Sequence, residues 1–237
     1  ARGLLANADN LFKRFRQRSR QRRRTLKLGA IDTAAAGLVP MLLHDFRKQH
    51  SDITVQLIED RTARLLPRLL SGRLDLAIVR PPEHRDRRLE WLTLFHETAV
   101  VAIPMRHRLA GRRKLSVAML AEQPLIVPDR RARPHSHDLT IRLFDQAGLK
   151  PKVAQVADEK QTIVNLVAAE LGLAIVPRSA ARLAVPGVRY IPLEVKRADA
   201  LRLLPLAAVW VKALRDPIRD EMLAILRSRL AGYARHS

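Results

Sequence analysis

Residues 26–75 switch between two hydrophobic periods, and that switching restricts the chain to a wound α/β sheet. Leu26, Leu28 and Ala30 step by two, as a strand requires. Asp32-Thr33 then supplies a helix cap, and Leu38, Leu42 and Phe46 recur every four residues up to His50, which predicts an amphipathic helix. Ile53, Val55 and Leu57 alternate again, Thr62 offers a second cap, and Leu65, Leu66, Leu69 and Leu70 form a second apolar stripe that stops at Gly72. Leu74-Asp75-Leu76-Ala77-Ile78-Val79 reads as a buried strand. Right-handed crossovers of this kind put both helix N-termini at the carboxyl edge of the sheet, where open α/β sheets bind ligands. Thr33 and Thr62 are therefore expected to share one rim, although each taken alone would simply cap its own helix.

The same pattern recurs further on. Arg80-Pro81-Pro82 ends the third strand in a turn, and residues 91–103 form a long β-prone stretch closed by Pro104. After a basic loop over 106–114 and a short helix near 117–122, Leu125-Ile126-Val127 opens a new strand. A basic loop over 128–135, a helix over 136–147 ended by Gly148, and a strand over 152–156 follow. Asp158 and Gln161 have capping-box spacing for a helix to Glu170, and the strand over 173–176 completes the second winding. Strands over 188–193 and 203–211 come last, before a final helix opened by Asp216-Pro217 with the stripe Ile218, Met222, Ile225, Leu226 and Leu230. The fold class is α/β, with two Rossmann-like subdomains: 26–103 with 206–237, and 104–205. Two crossovers, near Ile103-Pro104 and Pro205-Leu206, make a two-strand hinge.

Lys and Arg outnumber Asp and Glu by 44 to 23, a net charge of +21. Such an excess attracts polyanions by counterion release, or it is the solvated surface of an arginine-rich proteome. Aromatics at 4% leave too few stacking platforms for a single-stranded nucleic-acid channel. In residues 1–25 the apolar positions Leu4, Ala8, Leu11 and Phe15 mark a short coiled-coil seam within a basic helix, a linker too short to dimerise by itself. That segment lacks a signal-peptide pattern, and no apolar run reaches the roughly 18 residues of a spanning helix, so a cytoplasmic protein without membrane contact is expected. The sequence has no cysteine. His135 and His137 stand two apart without a third ligand, and no nucleophile elbow, phosphate-cradling loop or motif-placed His-carboxylate pair is present. A non-enzyme without metal or cofactor follows.

Three stretches together resemble the effector-binding domain of LysR-type transcriptional regulators. They are Leu28-Gly29-Ala30-Ile31-Asp32-Thr33 with Leu38-Val39-Pro40, Gly72-Arg73-Leu74-Asp75-Leu76-Ala77-Ile78, and Leu166-Val167-Ala168-Ala169-Glu170-Leu171-Gly172-Leu173-Ala174-Ile175-Val176-Pro177. The likeness covers about residues 20–231, and the turn Val79-Arg80-Pro81-Pro82 is similar to the subgroup that senses aromatic acids and their ring-cleavage products. The resemblance implies a periplasmic-binding-protein-like fold of the second type and a small effector in the cleft between subdomains. It implies effector contacts from Thr33 and Thr62, from the loop Arg130-Arg131-Ala132-Arg133-Pro134-His135, and from Gln161. A guanidinium grips a carboxylate bidentately, so Arg133 or Arg131 is a candidate clamp and Arg80 another, while Arg133 and His135 point to a more polar ligand than aromatic-acid relatives take. The resemblance also implies a homodimer or homotetramer and control of DNA through a winged helix-turn-helix absent from this chain. The alternative is a solute-binding protein for transport of a small anion, which shares the hinged architecture but needs an export signal.

Overall fold

The computed structural model describes residues 25–194 and 204–236. The linker helix expected ahead of Thr25 lies outside the described residues.

The chain opens with strand β1 (Thr25–Ala30), the short helix α1 (Asp32–Ala36) and, past Gly37, helix α2 (Leu38–Gln49). Strand β2 (Thr54–Glu59), helix α3 (Thr62–Leu70) and strand β3 (Leu76–Val79) follow. With β4 (Leu89–Glu97) and β10 (Leu204–Val211), these strands form one sheet in the order β2-β1-β3-β10-β4. β1 runs parallel to both neighbours, with Leu28 opposite Leu57 on one side and Leu76 on the other. Leu38, Leu42 and Phe46 of α2 and Leu65 and Leu69 of α3 are buried, the stripes their spacing predicts. Gly29 lets α3 approach β1 closely, because a Cβ there would stand 2.8 Å from Leu74 Cδ1 and 2.9 Å from Leu65 Cδ2. β2 departs from the expected pattern: it is the sheet's edge, none of its residues is buried, and Leu57 is 40% exposed. The last helix, α7 (Pro217–His236), buries Met222, Leu223, Ile225 and Leu226, with Ile218 and Leu230 half-buried.

The second set of strands begins with β5 (Ala99–Pro104), antiparallel to β8 (Ala174–Pro177) and β9 (Val188–Pro192). β6 (Pro124–Pro128) pairs in parallel with β7 (Lys152–Ala157). Two backbone bonds join β6 to Leu173, the residue just before β8: Ile126 N–H donates to Leu173 O and Leu173 N–H to Pro124 O, both at 2.8 Å. The resulting run β7-β6-β8-β5-β9 repeats the strand order of the first sheet. Helices α4 (Val117–Leu120), α5 (Pro134–Gln146) and α6 (Lys160–Ala168) accompany it. Alternate residues of β5 enter different cores: Val101 and Ile103 pack with Leu139, Leu143 and Phe144 of α5, while Val100 and Ala102 pack with Ile163, Val164 and Val167 of α6. The inner strands β6, β8 and β5 are buried almost throughout, which is why they read as continuous apolar runs, whereas the edge strand β7 is exposed along most of its length.

The chain divides into two compact units, one of 25–35, Val39–Leu92 and Ala208–Leu230, the other of Ala36–Leu38, the described part of Thr93–Ala207, and 231–236. The boundary expected at Ile103-Pro104 falls earlier. The β-prone stretch over 91–103 is split at the exposed Thr98, so β4 joins the first sheet while β5 pairs in the second. Pro104 closes β5 rather than ending the first half.

Candidate functional site

In the first unit, bonds at the strand ends bring the candidate residues to one edge. Ile31 N–H donates to Ile78 O at 3.0 Å and Asp60 N–H to Ala30 O at 3.1 Å, so Asp32-Thr33, Asp60-Arg61-Thr62 and Arg80 all leave the sheet there. Thr33 is 4% and Arg80 5% exposed. Arg80 Nη2 donates to Thr33 Oγ1 at 3.5 Å, and Thr62 Oγ1 donates to the Arg80 carbonyl at 3.4 Å. Thr33, Thr62 and Arg80 thus form one connected set. Thr33 N–H is taken by Asp32 Oδ1 at 2.7 Å. Thr62 is not the cap its position suggested. Arg61 holds the N-cap of α3 in an extended conformation, with no side-chain cap bond. Asp60, which accepts from Arg61 N–H at 2.8 Å and faces Arg68 at 3.4 Å, is a member of this rim that periodicity did not reveal. Arg80 is the main electrostatic feature: a guanidinium stays charged, and burying it is costly unless polar or negative groups surround it.

In the second unit, the loop after β6 is more tightly held than its composition suggested. Arg133 is the N-cap residue of α5, and its side chain is 16% exposed. Its Nε donates to the Asp158 carbonyl and its Nη2 to Glu159 Oε2 at 2.7 Å, so Arg133 straps the loop to the start of α6 instead of standing free as a mobile clamp. Arg131 is exposed, and His135 is half-buried in the first turn of α5, behind Pro134. Gln161 is exposed on α6 and donates to Asn165 Oδ1 at 3.2 Å. The capping box expected from Asp158 and Gln161 does not form, because Glu159 holds the N-cap of α6, without a side-chain bond. Asp138 accepts from Arg130 Nε at 3.0 Å and lies 3.1 Å from His137 Nδ1. Burial alone would raise its pKa, but His137 and Arg130 outweigh burial and hold the carboxyl below the usual aspartate value. Among the described residues no group of three His, Asp or Glu side chains is placed to hold a metal ion, and no helix is long and apolar enough to cross a membrane.

Residues 19–231 match the family described as the LysR substrate binding domain. The HTH-type transcriptional regulator TtuA of Agrobacterium vitis is 53% identical over 233 residues, which is 98% of this chain and 77% of TtuA. The chain belongs to the LysR family. The HTH-type transcriptional regulator AlsR of Bacillus subtilis is 28% identical over 199 residues, covering 84% of this chain and 63% of AlsR. Such LysR relatives are transcriptional regulators, not enzymes. Solved structures share the LysR effector-domain fold, the second type of periplasmic-binding-protein-like architecture. The effector-binding domain of BenM with its effector benzoate matches with a TM-score of 0.76 at 21% identity, covering 88% of this chain and 92% of that one. CbnR matches with a TM-score of 0.78 at 22% identity, covering 95% and 76%. The effector-binding domain of QuiR in complex with shikimate matches with a TM-score of 0.73 at 23% identity, covering 90% and 98%.

Proposed function

We propose that this LysR-type effector domain senses a small carboxylate, with Thr33, Thr62 and Arg80 contributed by the first unit and the loop bearing Arg131, Arg133 and His135, with Gln161, by the second. The observation that carries the reading is the buried guanidinium of Arg80 beside the Thr33 hydroxyl at the carboxyl edge of a parallel sheet. That edge is where such sheets take ligands, and a fixed cation next to a hydroxyl rewards an anion over a neutral molecule. The start of α3 adds to this, because its N-cap residue is an arginine, which offers no acceptor to the first-turn N–H groups. Benzoate and shikimate, named for two fold neighbours, are both carboxylates and lend support from proteins that share the fold alone. In this account the effector acts in the cytoplasm on a homo-oligomer and biases two arrangements of the full-length regulator on DNA through its different affinity for each.

The test is a thermal-shift screen of small carboxylates, each against its neutral amide. A specific effector at 100 times its dissociation constant adds about 2.7 kcal/mol of stability. The reading requires shifts with carboxylates that the matched amides do not reproduce. Equal shifts from acids and amides would remove the anionic part of the proposal.

A further inference from the structure

At the other end of β6 the second unit carries a cavity of about 400 Å³. Its wall includes Pro104 and Pro124 at strand ends, together with Arg106, His107, Arg108 and Glu170. The loop with Arg131, Arg133 and His135 leaves the opposite, C-terminal end of β6, so a strand length of about 13 Å separates the two places. The cavity is therefore distinct from the rim site and does not depend on how that site is read.

Charge and rigidity both single it out. From Thr98 to Ala121 the chain has no acidic residue, yet it carries Arg106, Arg108, Arg112, Arg113 and Lys114. Other arginines of the same unit are matched with carboxylates, Arg130 with Asp138 and Arg133 with Glu159. Among the described residues Arg106 and Arg108 form no ion pair, and both are exposed at the cavity mouth. The backbone that presents them is fixed. Met105 N–H donates to Gly187 O at 2.7 Å, His107 N–H to Pro104 O at 2.9 Å, and Ala110 N–H to His107 O at 2.8 Å. The His107 ring is fixed as well: Nδ1 accepts from Leu109 N–H at 3.2 Å, which leaves the ring proton on Nε2, 3.2 Å from the buried Gln123 Oε1. Two guanidiniums thus flank a locked imidazole on a tight turn. They share the cavity with one carboxylate, Glu170, which takes a left-handed conformation (φ 62°) just past the end of α6.

A volume of this size suits a small-molecule site, and paired guanidiniums bind phosphate or carboxylate oxygens bidentately. We propose that this cavity is a second, separate binding site for a small metabolite bearing a phosphate or carboxylate group, held by Arg106 and Arg108. Glu170, which would repel a bare anion, selects a molecule that also offers a hydroxyl or amine donor.

Calorimetric titration of the whole chain with glycerol 3-phosphate, glycerate and glycerol tests the proposal and separates phosphate from carboxylate. One of the two anions binds saturably, glycerol does not, and the double variant Arg106→Ala/Arg108→Ala weakens that binding about tenfold or more. The variant Arg112→Ala/Arg113→Ala removes the same charge from the same loop outside the cavity, and Thr33→Val probes the rim; both leave the affinity unchanged. Melting curves of both arginine-pair variants match the parent, because these arginines are exposed. The proposal is overturned if neither anion binds saturably, if both arginine pairs weaken binding equally, as diffuse charge would, or if Thr33→Val abolishes it.

Discussion

Gly172→Ala tests how the second sheet is held together. Gly172 is buried with φ at +157°, and an added Cβ would stand 2.8 Å from the Pro124 carbonyl oxygen and 3.2 Å from Ile126 Cγ1. The nearest obstacle is backbone, so no rotamer change relieves it. The same oxygen accepts Leu173 N–H at 2.8 Å, and Leu173 O in turn accepts Ile126 N–H at 2.8 Å. Opening the contact weakens both bonds joining β6 to Leu173, each worth about 0.5–1.5 kcal/mol. Overpacking adds about 1–3 kcal/mol, so the expected loss is about 2–6 kcal/mol if both bonds are lost. Gly148→Ala is the comparison: φ is +69° and nothing lies within 4 Å of its Cβ, which leaves only the left-handed backbone penalty of about 1–2 kcal/mol. Urea unfolding followed by far-UV circular dichroism should give Gly172→Ala a clearly lower midpoint than Gly148→Ala at similar slope. A midpoint for Gly172→Ala at or above that of Gly148→Ala would refute the steric reasoning.

Three further outcomes follow from the structure. Arg133→Ala should lose about 1–2 kcal/mol, mostly from the bond to the Asp158 carbonyl because Glu159 is solvent-screened, and should melt several degrees lower, whereas Arg131→Ala should melt like the parent; equal melting of both variants would show that Arg133 is no strap. Burial, outweighing the Lys27 N–H bond at 2.7 Å and reinforced by the charge of Asp216, raises the pKa of Asp75. Its protonated form therefore contributes stability that is fully present below about 3.8 and lost as pH rises through the raised value, so Asp75→Asn should gain on the parent across that window and a flat difference between the two would count against it. The exposed edge strand β2, with Leu57 at its surface, motivates a homodimer that persists without residues 1–24, and light scattering that shows only monomer at micromolar concentration would remove it.

Much of the architecture is legible in the sequence because period and burial coincide. Leu38, Leu42 and Phe46 are spaced for a helix and are buried by the sheet their neighbours form. Thr33, Thr62 and Arg80 converge because the βαβ connection sends their segments to one edge. What stayed hidden depends on partners distant in sequence. Leu57 alternates like an interior strand residue, yet β2 has a neighbour on one side only, and sheet order is not written in periodicity. The stretch over 91–103 reads as one strand because Trp91, Leu92, Leu94 and Phe95 are followed so soon by Ala99–Ile103, and the only trace of the switch is the polar break His96-Glu97-Thr98 between them. Arg133 reads in the sequence as a candidate clamp on a basic loop, because its acceptors at the start of α6 lie 25 residues on. The cavity beside Arg106 and Arg108 is assembled from three separate segments, and composition revealed only its charge.

The most direct test of the central claim is calorimetric titration of the carboxylate giving the largest thermal shift, against the parent chain, Thr33→Val and Arg80→Gln. Thr33→Val keeps the side-chain shape but removes the hydroxyl that accepts from Arg80, which should cost about 1–3 kcal/mol, more than about fivefold in affinity. Arg80→Gln removes the buried charge at the same rim and should weaken binding further, with circular dichroism of both variants like that of the parent. Unchanged affinity in both folded variants would contradict the account and place the effector elsewhere.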